Sequence, residues 1–290
     1  MAESPAAPAN THGRAGRNLP AAIGIGVGFG AYLVLSLLYF KPAFVVLVAV
    51  ALVLASVELH EALKKQGMTS AIIPIAVGSV AISFGSYFAG RHEPVIFSTT
   101  SVLLASLALT VLASLIWRMR KGVAGFVRDA AASLLIIAYV PLLGSFAALM
   151  LAEAQGGTRL VTFFLIVLMS DTGGYIAGVL FGKHPMAPKI SPKKSWEGAA
   201  GSLILGTTAA ICMAIFALHV PFWVGIILGI SLVVVGTCGD LIESVIKRDI
   251  GIKDMSSFVP GHGGVMDRLD SLLVAAPVAW LIMYLFVPGG

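Results

Sequence analysis

Residues 160–182 read LVTFFLIVLMSDTGGYIAGVLFG, a run of bilayer length whose single charged residue, Asp171, stands near its middle. Crossing the hydrocarbon core takes about 20 predominantly apolar residues of helix. A carboxylate placed there costs about 2.5–3.5 kcal/mol on the insertion scale, so it needs a reason. The sharper reason, a wall of a polar cavity, outweighs the plainer one of a hydrogen-bonded residue gluing helices together. Gly173 and Gly174, just beyond it, permit close helix approach or local unwinding.

The rest of the chain reads in the same way. Of its 290 residues 58% are hydrophobic and 11% charged, and the mean hydropathy is +0.96. No water-soluble domain could solvate such a surface, so the fold class is an all-α polytopic integral membrane protein. Cys212 and Cys238 lie in apolar runs without a zinc or disulfide spacing and are expected to be small core residues. Residues 1–20, rich in Ala, Pro, Gly and Asn, read as a disordered tail, and the apolar run that follows is too long for a cleavable signal.

Nine bilayer-length runs follow: 21–40, 43–59, 70–90, 95–117, 130–152, 160–182, 198–220, 222–239 and 271–287. The second is short, so eight is the fallback count, and Pro74 and Pro141 are expected to kink their spans. Residues 21–152 form an N-terminal group of scaffold helices. Residues 153–290 form a C-terminal region with polar loops at 183–197 and 240–270. With nine spans and the N-terminus inside, all of the 19 Lys and Arg except Lys41, Arg91 and Arg159 fall on the cytoplasmic side. That bias sets orientation. The net charge of +5 therefore records topology rather than a nucleic-acid partner. The expected location is the cell's inner membrane, with the polar site facing the cytoplasm.

Both polar loops then share one face. In GTCGDLIESVIKR, 236–248, the residues Asp240, Glu243, Ser244 and Lys247 recur at helical spacing, so a helix continuing out of the eighth span carries them on one stripe. PGHGGVMDRLD, 260–270, supplies a glycine-rich turn able to present amide donors to an anion, and then Asp267 and Asp270 on one face of the ninth helix. Carboxylates without Cys or clustered His point to magnesium rather than zinc or copper. His262, between glycines, suits a phosphate donor or an acid/base auxiliary. In GKHPMAPKISPKKSWEG, 182–198, Lys189, Lys193 and Lys194 repeat the basic theme, Pro188 and Pro192 argue for a defined loop, and Ser195 is placed to cap the following helix.

The segment from Ser244 to Asp270, with SDTGGY at 170–175 and ISPKKSWEG at 190–198, resembles the signature blocks of phosphatidate cytidylyltransferases (CDP-diacylglycerol synthases), in the family's order. Val259, Gly174 and Ser195 are minor departures. The N-terminal half matches only in being hydrophobic. The resemblance implies transfer of CMP from CTP to phosphatidic acid, giving CDP-diacylglycerol and pyrophosphate, by a homodimer in the lipid bilayer. It implies that Asp240 and Asp267 hold Mg2+, with a second cation such as K+ nearby, and that Glu243 and Asp270 are the next choices as ligands. Lys247 joins the two aspartates as catalytic. Lys193, Lys194 and Arg248 are the candidate phosphate contacts, and His262, Gly263 and Gly264 add donors. Ser195, Ser244, Arg268 and Asp171 complete the expected substrate-binding set. Nearer alternatives are a CTP-dependent lipid kinase or a cytidylyltransferase for another lipid. A transporter is the rival of a different class, but no internal repeat with paired broken helices is visible.

Overall fold

The computed structural model describes residues 19–89, 98–256 and 263–289. In chain order the elements are α1 (Leu19–Tyr39), α2 (Lys41–Lys64), α3 (Ile72–Ala89), α4 (Thr99–Met119), α5 (Phe126–Ile137), a π turn (Ala138–Leu142), α6 (Leu143–Ala152), α7 (Gly156–Phe181), β1 (Pro185–Ala187), β2 (Ser191–Ser195), α8 (Trp196–Phe216), α9 (Phe222–Ile250) and α10 (Met266–Phe286). The π turn joins α5 and α6 into one apolar rod. Counting it once, eight helices among the described residues are long and apolar enough to cross a membrane. The 21-residue α1 occupies the place of the first expected span.

Their apolar side chains do two jobs. Inward faces form a core that includes Phe44, Phe163, Leu160, Leu228 and Met283. Outward ones stay bare, as with Leu104, Leu109 and Ile116 on α4, each more than half exposed. That is the burial pattern of helices whose outer solvent is lipid.

Several elements differ from the sequence reading. The second span is not short: α2 runs for 24 residues, because Leu59, Ala62 and Leu63 keep packing after charged residues enter the pattern. Pro74 falls in the first turn of α3, where its missing donor would have no partner anyway. Pro141 sits inside the π turn. Leu19 and Pro20 already belong to α1, and residues 1–18 of the expected tail lie outside the described residues. Cys212 and Cys238 are exposed on the outer face of the bundle rather than in its core. The basic loop after α7 is a short antiparallel hairpin, β1 against β2, in an otherwise helical molecule.

Contacts define the two ends of the bundle. At one end Gln66 Nε2 donates to the carbonyl of Ile250 at 3.1 Å, tying the end of α2 to the end of α9. Thr69 N–H donates to Asp129 Oδ1 at 2.8 Å, and Arg118 Nε donates to Asp129 Oδ2 at 2.7 Å, closing the α4–α5 connection beside them. The hairpin joins this end through Arg248 Nε, which donates to the Ile190 carbonyl at 3.3 Å. At the other end Arg159, fully buried, donates to the carbonyls of Ala154, Met283 and Val287 at 3.0, 3.1 and 3.2 Å.

Close helix approach depends on glycine at two contacts that matter for the site. A Cβ on Gly173 of α7 would lie 2.4 Å from the Gly201 carbonyl of α8, and one on Gly239 of α9 would lie 2.5 Å from the Asp270 carbonyl of α10. Neither distance is open to a larger residue.

Candidate active site

The acids come from two neighbouring helices. The apolar run of α9 ends near Gly239, but the helix continues to Ile250 and carries Asp240, Glu243, Ser244 and Lys247 along one side, as their spacing required. Asp267 and Asp270 lie in the opening turns of α10, one turn apart. Because Gly239 lets the helices touch, the acids face each other in two tiers. Asp270 lies close enough to Asp240 for the two carboxylates to repel, and so does Glu243 to Asp267, with which it shares the Lys247 ammonium.

A cation serves each tier. Lys194, from β2, is ion-paired with Asp240 Oδ2. Lys247 is ion-paired with Glu243 and donates to Asp267 Oδ1 at 2.7 Å. Asp267 Oδ2 accepts from the N–H groups of Met255 at 3.0 Å and Gly264 at 2.9 Å. The structure thus places Asp240 and Asp267, the pair implied by the resemblance, in adjacent tiers, each against a different acid.

Glu243 is wholly buried, and its Oε1 has no hydrogen-bonding partner among the described residues. Ionised carboxylates do not stay in contact without a proton or a cation between them. Within the two tiers four carboxylates face two ammonium groups, leaving two negative charges, the charge of one divalent ion. Among the described residues no group of three or more acids and other ligand types closes into a metal cage. A Mg2+ ion does not need one, since it is commonly held by one or two carboxylates together with substrate phosphates. The donor set therefore fits that ion.

Beside the tier of Asp240 and Asp270 lies a cavity of about 230 Å3 between α7, α8, α9 and the hairpin. Asp171, Lys193, Lys194, Asp240 and Thr237 give it its polar lining. Ser195 also lines it, and its hydroxyl caps α8 by accepting from Gly198 N–H at 3.1 Å, the capping role its position predicted. Glu197 holds the hairpin's start by accepting from the N–H groups of Lys183 and His184, both at 3.2 Å.

A second, mostly apolar cavity of about 390 Å3 opens between α1, α7 and α10. Leu33, Phe164, Leu165 and Leu272 line it, with Arg268 and Asp171 at its polar edge. Val167, Asp171 and Ser271 belong to both cavities. Asp171 is therefore part of the partition between a polar and an apolar space.

Of the remaining sequence candidates, Lys193 is exposed to the polar cavity, Ser244 is half-buried on α9, and Gly263 and Gly264 adjoin Asp267. Arg248 is spent in part on the hairpin. His262 lies outside the described residues. Two residues were missed by sequence reasoning. Glu58, on α2, accepts hydrogen bonds from the first turn of α10. Tyr139, in the π turn, is 7% exposed, and its hydroxyl has no hydrogen-bonding partner among the described residues. Glu58 stands at the end of the long apolar run of α2, and nothing local in the sequence shows what it binds. For Tyr139 the only signal was its nearness to Pro141.

A helical membrane bundle with paired acids, basic loops and adjoining polar and apolar cavities is the profile of an enzyme that joins a phosphorylated solute to a lipid. Residues 21–286 match the cytidylyltransferase family model, and the chain belongs to that family. A phosphatidate cytidylyltransferase of Mycobacterium leprae is 44% identical, covering 94% of this chain and 89% of that protein. One of Mycobacterium bovis is 39% identical, covering 96% and 92%. One of Haemophilus influenzae is 43% identical over 44% of this chain.

Proposed function

We propose that this chain transfers CMP from CTP to phosphatidic acid, releasing CDP-diacylglycerol and pyrophosphate, at a site formed by α7–α10 and the hairpin. The observation that carries this is the shared wall of the two cavities. CTP is a soluble polyanion and phosphatidic acid an anion with acyl chains, so the reaction needs a polar space and an apolar space that meet at the reacting phosphates. Val167, Asp171 and Ser271 mark such a meeting.

A phosphate oxygen of the lipid attacks the α-phosphorus of CTP, and the bond from that phosphorus to the bridging oxygen of pyrophosphate breaks. Both reactants are negative, so alignment and charge neutralisation dominate over covalent help. Phosphate monoesters are largely ionised at neutral pH, so the attacking oxygen needs no strong general base. Lys193 and Lys194 are positioned to hold the triphosphate in the polar cavity, and Arg268 to meet the lipid phosphate at the apolar edge. Asp240, Asp270, Glu243 and Asp267 would hold Mg2+, with room in the charge balance for a monovalent partner such as K+ once the phosphates are bound. When bound, the divalent ion offsets charge on the triphosphate and on the leaving pyrophosphate. The acidic ladder, the hairpin and most Lys and Arg side chains share one end of the bundle, which positive-inside bias assigns to the cytoplasm of a cell-membrane enzyme. A homodimer is part of this reading.

Incubating purified protein with CTP labelled at the α-phosphorus, phosphatidic acid and Mg2+ tests it. Labelled CDP-lipid is the expected product. Phosphorylated lipid from γ-labelled CTP, or no lipid product at all, would reject the reading.

A further inference from the structure

Glu58 belongs to α2, in the half of the chain that contributes no signature block, yet its carboxylate sits at the start of α10. It is 7% exposed. Oε1 accepts from Ser256 Oγ at 2.6 Å and from Val265 N–H at 2.9 Å, and Oε2 accepts from Met266 N–H at 2.8 Å. Ser256 follows α9, while Val265 and Met266 open α10, so one side chain ties three elements together. A Cβ on Gly264 would stand 2.6 Å from Glu58 Oε2, which shows how closely the backbone is drawn onto the carboxylate.

These partners interleave with those of Asp267, whose Oδ2 takes the N–H groups of Met255 and Gly264. Glu58 thus holds the residue that follows each amide holding Asp267: Ser256 after Met255, and Val265 after Gly264. Two carboxylates share one backbone frame, one from the scaffold helices and one from the acid tiers. A negative group at a helix N-terminus also offsets the partial positive charge there, which does not by itself explain why the frame includes Ser256.

We infer that Glu58 is a positioning residue for the transfer reaction: from α2 it fixes the backbone that aims Asp267 and Asp270, and so sets cation affinity and turnover rather than substrate affinity. The inference rests on the proposed role of the acid tiers. It gives the N-terminal helices a part in the site beyond scaffold. Glutamine at position 58 keeps the size but turns an amide NH2 toward N–H donors, so at least one of the three bonds is lost.

The experiment compares wild type, Glu58→Gln, Glu58→Asp and Arg159→Met as full-length protein in lipid nanodiscs. Direct Mn2+ binding is read by electron paramagnetic resonance, with kcat, KM for both substrates and thermal unfolding measured alongside. Glu58→Gln is expected to weaken Mn2+ binding and lower kcat by about 10–100-fold, the range for residues that orient ligands from behind. KM for CTP and phosphatidic acid should stay within about threefold, since uniform binding is untouched. Arg159→Met should lose thermal stability while keeping wild-type Mn2+ affinity. A Glu58→Gln protein with wild-type Mn2+ affinity and kcat, or with thermal loss alone, overturns the inference. Should Glu58→Gln fail to fold, Glu58→Asp decides: weaker Mn2+ binding supports the inference and wild-type binding ends it. Wild-type protein that binds Mn2+ but makes no CDP-lipid would overturn the reaction and not the positioning role, whereas wild-type protein that binds no Mn2+ overturns the latter.

Discussion

The two ends of α10 are clamped by buried side chains of opposite sign from other helices. At its start Glu58 accepts the N–H groups of Val265 and Met266, and at its finish Arg159 donates to the carbonyls of Met283 and Val287. Each charge matches the helix dipole at its end, and each adds hydrogen bonds to backbone groups of the end turn, where the Met283 carbonyl also accepts from Val287 N–H. The difference lies in what else the end carries. The first turns hold Asp267 and Asp270 against α9, whereas the last turn meets the α6–α7 connection with no acid tier beside it. The same helix-end chemistry therefore positions reactive groups at one end and only secures the fold at the other.

The largest effect that would sharpen this contrast comes from the acids themselves. Asp240→Asn and Asp267→Asn should each lower turnover by at least about 10³-fold, equivalent to about 4 kcal/mol of transition-state stabilisation. They should differ in stability. Asp240 loses one ion pair with Lys194, while Asp267 also holds Lys247 and two backbone amides, so its variant should unfold at the lower temperature. Product formation from labelled CTP and thermal unfolding in detergent check both statements. Substantial activity in either variant would remove the acids from the reaction.

Next comes the far end of the helix. Arg159→Met strips a fully buried guanidinium from at least three carbonyls and replaces it with a thioether that donates nothing. A loss of about 3 kcal/mol is expected, in the range for unpairing buried polar groups. Turnover per folded molecule should be unchanged at a temperature where the variant is intact. If kcat falls with stability, the two ends of α10 are not separable and the contrast fails.

What the sequence made legible follows from the range over which its signals act. Bilayer-length runs, the helical continuation that carries Asp240 to Lys247, and the Ser195 cap are local patterns, and each stands where the periodicity placed it. The pairing of Asp240 with Asp270 and of Glu243 with Asp267 is not local. It depends on the depth at which α10 packs along α9, which the Gly239 contact sets and no spacing within either segment records. Glu58 was invisible for the same reason: its partners are some two hundred positions away in the chain. Arg159 looked like a weak exception to the charge bias, because a sequence cannot show that a cation near a membrane surface faces carbonyls instead of water. The exposed cysteines went wrong through a related limit, since in lipid an apolar residue gains little by choosing the inside over the outside.

The smallest expected effect tests whether position at the site end of the bundle is enough to matter. Lys64 ends α2 within two turns of Glu58, but its side chain is 57% exposed and its ion pair is with Glu61 at 3.4 Å, itself 57% exposed. Exposed pairs at this spacing contribute about 0.5 kcal/mol or less, because solvent screens the charges and two flexible side chains must be ordered to form them. Lys64→Ala should therefore leave unfolding temperature and turnover nearly unchanged, with KM for CTP also unmoved, in the assays used for the acids. A large loss of turnover here would mean that charge at this end acts through the field over the cavity, and that the direct hydrogen bonds of Glu58 are not what distinguishes one position on α2 from another.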